Sequence, residues 1–191
     1  MADGEAGVFH MLVTGAVECG HFPTYNNLYC KYTIVFGDHW TATAGIEEGV
    51  SQIASRSSHH PGEFVWNFPI DITLKSQLPR GWPQIVVAVY GLDMFGRDIV
   101  RGYGTCHLPV TAGHHTLKIP TFAPRPTTRL QHILGWFLGQ RPEFYESTFV
   151  AAGEGREVVR VRSHGHVIVK CNVAFKDFHR LGFHNAPSNQ N

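Results

Sequence analysis

Thirteen histidines in 191 residues are the side chains best suited to chemistry, and their spacing decides what they can do. Pairs stand at His59-His60 and His114-His115, and His164 and His166 are two apart. Positions i and i+2 of a strand share a face, so His164 and His166 could in principle hold one metal ion. Gly165 between them reads instead as a turn joining two strands, which would spoil that geometry. No His-Glu-x-x-His helix, His–carboxylate triad or third ligand at suitable spacing accompanies them. The sequence also lacks a Gly-x-Ser-x-Gly elbow and a glycine-rich phosphate loop; Arg101-Gly-Tyr-Gly-Thr and Gly153-Glu-Gly-Arg read as turns. Cys19, Cys30, Cys106 and Cys171 lie in apolar or strand-like runs with no C-x-x-C spacing, so reduced structural thiols are expected. These residues assemble no catalytic constellation, and no metal or other cofactor is expected.

The elements that would position such residues are mostly strands. Val8–Thr14, Leu28–Phe36, Phe64–Leu74, Gln84–Tyr90, Arg156–Arg162 and His166–Phe175 are apolar or β-branched runs, and the last two alternate apolar and polar for part of their length. Twenty glycines and eleven prolines fall mainly between such runs, as turn chemistry requires. The pattern predicts an all-β fold, an antiparallel sandwich of about eight strands. One segment departs from it. Leu130, Ile133, Leu134, Phe137 and Leu138 recur at helical spacing, Thr128 and Gln131 have capping-box spacing, and Gly139 can end a helix. A short amphipathic helix is therefore predicted near 128–138, its stripe facing either its own sandwich or a partner, with Trp136 off the stripe. No repeat or long linker appears. One domain over 8–183 is expected, with flexible ends at 1–7 and 184–191.

Charge narrows the function classes. Sixteen basic residues oppose fifteen acidic ones, and charged residues make up 16% of the chain, below the roughly 25% of average domains. That balance argues against nucleic acid as a partner. No apolar stretch approaches the 18 or so residues of a membrane span, and the acidic Met-Ala-Asp-Gly-Glu start does not resemble a signal peptide. A soluble intracellular protein is expected. Residues 1–60 carry two basic and six acidic side chains, whereas residues 150–191 carry six basic and three acidic ones. This is either ordinary scatter or an asymmetry that orients a subunit in an assembly or against anionic lipid.

Two stretches carry a resemblance. Phe64-Val-Trp-Asn-Phe-Pro-Ile-Asp-Ile, followed by Gln84-Ile-Val-Val-Ala-Val-Tyr-Gly-Leu-Asp-Met-Phe-Gly-Arg-Asp-Ile-Val-Arg-Gly-Tyr-Gly, resembles the centre of a C2 domain. More specifically, Trp66–Ile70, Gly81-Trp-Pro-Gln84 and Arg101-Gly-Tyr-Gly104 resemble the B9 domain, a divergent C2-like module, in a match running from about residue 8 to residue 183. The resemblance implies a non-enzymatic protein of the cytoplasm and cytoskeleton, at the ciliary transition zone and basal body. It also implies partners: a second small B9 protein, the Meckel syndrome type 1 protein and tectonic-type membrane proteins. Their complex would gate membrane-protein entry into the cilium and support ciliogenesis and Hedgehog signalling.

The same comparison frames the sites. A calcium-binding C2 domain gathers about five carboxylates on three loops, because calcium takes six to eight oxygen ligands. Here Gly91 stands at the usual first aspartate, Asp93 and Asp98 remain, and the loop Glu18–Asn27 adds no aspartate. Two carboxylates are too few for a tight calcium site. Arg160 and Arg162 are two apart on one predicted strand, with Lys170 expected on its neighbour. They form either a solvated sheet face or a patch for phosphoinositide heads or an acidic partner, worth about 1 kcal/mol per basic group at an anionic surface. Trp40, Trp82 and Trp136, each near Gly or Pro or off a stripe, are candidate partner contacts, whereas Trp66 is expected in the core beside Phe64 and Phe68. Three function classes follow: a scaffold subunit docking beside similar domains, a calcium-independent lipid-binding module, and a His-dependent metalloenzyme.

Overall fold

The computed structural model describes residues 7–58, 60–124 and 161–183. Ten strands form one antiparallel sheet system: β1 (Phe9–His21), β2 (Asn27–Val35), β3 (Trp40–Gly45), β4 (Glu48–Val50), β5 (Ala54–Ser55), β6 (Glu63–Ser76), β7 (Gln84–Leu92), β8 (Asp98–His107), β9 (Gly113–Pro124) and β10 (Val161–Lys176). Their order across the sheet is β3-β6-β1-β10-β9-β8-β7-β2-β4, with β5 paired to β2. The expected all-β, C2-like antiparallel architecture is present, with ten strands among the described residues where the sequence predicts about eight. The difference comes partly from β4 and β5, which hold three and two residues and are too short to show a period. The helix predicted near 128–138 lies outside the described residues.

The sheet curls because one face of each long strand is apolar. In β2, Leu28, Cys30, Tyr32 and Ile34 are buried while the residues between them are not, the period-two pattern of a strand wet on one side. Phe64, Trp66, Ile70, Ile72 and Leu74 of β6, and Phe9, Met11, Val13 and Val17 of β1, face the same core. Val167, Val169, Cys171 and Val173 of β10 complete it. Strand β7 differs, with Ile85 through Val89 all buried. Ile85, Val87 and Val89 enter the main core, while Val86 and Ala88 join Tyr103 and Phe122 in a second apolar cluster.

The sequence reading of Gly165 as a turn between two strands is corrected. Strand β10 runs unbroken from Val161 to Lys176, with a bulge between Ser163 and His166 in its pairing with β9. Gly165 has φ 80°, and a side chain there would strike the His21 carbonyl and the Phe22 ring. The glycine therefore lets the chain bulge instead of reverse.

Candidate functional site

The loops after β1, β5 and β7 gather at one end of the sheet; those after β2, β6 and β8, with the C-terminal segment, gather at the other. At the second end the candidate aromatics Trp40 and Trp82 turn out to be structural. Trp40 is 3% exposed. Its indole N–H donates to the Arg80 carbonyl at 2.8 Å, and its ring meets Phe9 and Trp82 edge-on at 5.4 and 5.2 Å. Trp82 is half-buried against Phe175 and donates its N–H to the Leu108 carbonyl at 2.8 Å. Their glycine neighbours suggested exposed loops, but the glycines serve the opposite end. Gly81 has φ 64° and lies against Gly37 backbone to backbone, with the Gly37 N–H donating to the Gly81 carbonyl at 3.0 Å. That approach, which a Cβ would block, presses the loops together and turns both indoles inward. Trp66 is in the core as expected, its N–H donating to the Leu28 carbonyl at 3.1 Å. Trp136 lies outside the described residues.

The basic patch also changes. Arg162 and Lys170 belong to one continuous strand, not to neighbours. Arg162 stands opposite Ala123 and Lys170 opposite Thr116, and the intervening bulge puts the two positions out of phase along the ladder. Lys170 is engaged: its Nζ lies 2.6 Å from Glu18 Oε1, and that hydrogen bond raises the ammonium pKa above its ordinary value. Arg160 lies outside the described residues.

At the first end, Asp93 holds its own loop. Its Oδ1 accepts the backbone N–H groups of Phe95 and Arg97 at 2.8 and 2.9 Å, and Oδ2 receives Arg97 Nε and Nη2 at 3.1 and 3.0 Å. These donors, the Arg97 backbone N–H foremost, hold the carboxyl below the usual carboxylate range. Asp98 is exposed, opposite Leu92 in the hairpin ladder. Sequence reasoning missed what this turn displays: Met94 is 79% exposed and Phe95 61%. A usable signal existed, since Asp at the first and Gly at the fourth position of Asp93-Met-Phe-Gly96 specify a type I turn, whose two central residues point outward.

Among the other reactive groups, two histidines stack and three thiols are buried. His21 and His166 face each other across β1 and β10 with ring centroids 5.5 Å apart. Burial first, then Lys118 and His21, lowers the His166 pKa. All four thiols are free, and Cys19, Cys30 and Cys171 are buried. Burial pushes Cys19 and Cys171 up to about 11 and raises Cys30 further. Among the described residues no group of three or more His, Cys, Asp or Glu side chains converges to hold a metal ion.

These features define a C2-like β domain whose loop-end carboxylate, Asp93, is committed to an internal arginine. The family model described as "Ciliary basal body-associated, B9 protein" matches residues 11–174. The chain belongs to this B9 family. It is 52% identical to the mouse B9 domain-containing protein 1, covering 98% of this chain and 92% of that protein. It is 53% identical to the Xenopus laevis protein of that name, over 98% and 94%, and 31% identical to Xenopus laevis B9 domain-containing protein 2, over 84% and 89%. Among solved structures, the C2A domain of a plant extended synaptotagmin 1 aligns with TM-score 0.41 at 11% identity, over 87% of this chain and 93% of that one.

Proposed function

We propose that this chain is a non-enzymatic structural subunit of a ciliary transition-zone assembly. In this reading it docks beside other B9-type domains, including the Meckel syndrome type 1 protein and the second small B9 protein. It would contact tectonic-type membrane proteins and contribute to the barrier against membrane-protein entry. The carrying observation is near-full-length identity of about half to B9 domain-containing protein 1, within a family described as ciliary basal body-associated. The charge-poor composition supports it, because interface cores are depleted in charge. Apolar side chains left in water support it too: Ile46, Val50 and Ile53 lie along the segment closing the seam between β2 and β6, and Val65 projects from β6.

The deciding experiment is cross-linking mass spectrometry on complexes purified through the tagged full chain from ciliated cells. Cross-links to other B9 proteins, with the tag at the ciliary base, are expected. The chain expressed alone should also be poorly soluble and recover on co-expression with a B9 partner. Recovery of no B9 protein, with the tag away from the cilium, would overturn the proposal.

A further inference from the structure

One long side of the curled sheet is closed by a single segment. From Gly45 to Gln52 the chain runs between β6 and β2 and is bonded to both. The Ile46 N–H donates to the Asp71 carbonyl at 3.0 Å, the Ile34 N–H to the Glu47 carbonyl at 2.7 Å and the Ser51 N–H to the Cys30 carbonyl at 2.9 Å. Gly49 lies against the Phe68 ring, and Gln52 Nε2 donates to the Trp66 carbonyl at 2.9 Å. Held on both sides, the segment still leaves its aliphatic side chains in water. Ile46, Val50 and Ile53 are 65%, 52% and 56% exposed, and Val65, beside the Trp66 that Gln52 holds, is 47% exposed. The first three stand four and then three residues apart, a ridge at most about 23 Å long. Charge along it has mostly one sign. From Thr41 to Ser55 the only charged side chains are Glu47 and Glu48, and exposed Asp71 flanks Ile46. Lys31 answers one of the three, its Nζ 2.8 Å from Glu48 Oε2.

We infer that this ridge is a docking face for a partner protein whose opposing surface is apolar and rimmed by lysine or arginine. The inference rests on the assembly reading and adds to it the face used and the charge of what that face meets. Aliphatic side chains flanked by charge match the layout of a protein interface, a dry centre inside a polar rim. Order supports it, because a segment bonded on both sides loses little conformational freedom on binding. The acidic rim then selects among occupants. A lipid surface is disfavoured, since cytoplasmic leaflets are themselves negative. A second copy meeting the ridge about a two-fold axis would set Glu47 and Glu48 against their own counterparts, and like charges across an interface oppose pairing. Opposite charge on a different protein satisfies the apolar centre and the rim together.

The test measures, by biolayer interferometry, binding of the full chain on an N-terminal maltose-binding fusion to two purified probes, the second small B9 protein and the Meckel syndrome type 1 protein. Weighted by the share of each side chain still open, Ile46→Ala and Ile53→Ala should each weaken binding to at least one probe about tenfold, and Val50→Ala about fourfold. Glu47→Lys should weaken the same binding about tenfold at low salt, and raising salt to about 0.5 M should narrow the gap between parent and variant. Leu78→Ala, 46% exposed at the opposite end of the sheet, should change nothing. These exposed positions should keep Tm within about 2 °C of the parent, which separates docking from folding. Binding that no ridge variant weakens, that Glu47→Lys strengthens, or that Leu78→Ala weakens equally would overturn the inference and leave the assembly reading standing. Absence of binding to both probes by the parent chain would overturn both.

Discussion

Replacing Trp40 by alanine separates a core aromatic from a docking aromatic, because the two roles predict opposite signatures. Trp40 is 3% exposed and touches Phe9 and Trp82 through ring edges. Truncating a buried Trp to Ala costs about 3–5 kcal/mol, and the two edge contacts, each about 0.5–1.5 kcal/mol, place the value in the upper half of that range. The Arg80 carbonyl also loses its donor, adding about 1 kcal/mol if water does not replace it. These terms overlap, so about 4–5 kcal/mol is the expected total. For a chain of this size each kcal/mol moves Tm by about 2–4 °C, so Trp40→Ala should melt roughly 8–20 °C lower by calorimetry. Trp40→Phe keeps the ring contacts and loses only the N–H donor, so most of the stability should return. Affinity for a B9 partner, measured below both melting points, should be unchanged in Trp40→Phe. A Tm drop under about 3 °C in the alanine variant, coupled to weaker partner binding, would refute the reasoning and return Trp40 to the surface.

Further expectations rest on single features. Gly165→Ala should cost more than about 2 kcal/mol by urea titration, since it imposes a side chain on a left-handed backbone and drives it into the His21 carbonyl; a loss below about 0.5 kcal/mol would mean that the bulge relaxes freely. His166 has its folded pKa below its ordinary 6.5, so its contribution is complete above that pH and is lost as pH falls through the folded value. Tm should decline from about pH 7.5 to 5.5, less steeply in His166→Gln, and identical slopes would remove His166 as the cause. A maleimide should modify Cys106, the one thiol that is not buried, well before Cys30, which should react only as the chain opens; simultaneous labelling would contradict the packing.

Much of the sheet was legible because burial on one face writes a period into the residues. Leu28, Cys30, Tyr32 and Ile34 declare β2, and the unbroken Ile85–Val89 run declares a strand covered on both faces. Strand β9 was harder to see. Pro120 interrupts an alternation that Leu117 and Ile119 begin, and proline speaks against a paired strand. Its tolerance depends on a distant residue, because Pro120 stands opposite His166 at the edge of the β10 bulge. The two tryptophans were misplaced for a related reason. Whether a Gly-Trp pair lies on an exposed loop or beneath one is decided by the Gly37–Gly81 approach, between residues 44 apart in sequence, which no local pattern encodes. The engagement of Lys170 by Glu18 across 152 residues is equally non-local. At the β7–β8 turn the residues are local and readable, since the Asp93-x-x-Gly96 spacing marks a turn whose central positions are Met94 and Phe95.

The pairing of Pro124 with Val161 bears on how this chain can diversify. The two strands that flank residues 125–160 face each other on one rung, so the ladder itself sets no length for what connects them. The junction is therefore a graft point, where a lineage can lengthen, shorten or replace the connection without renegotiating the paired strands on either side of it.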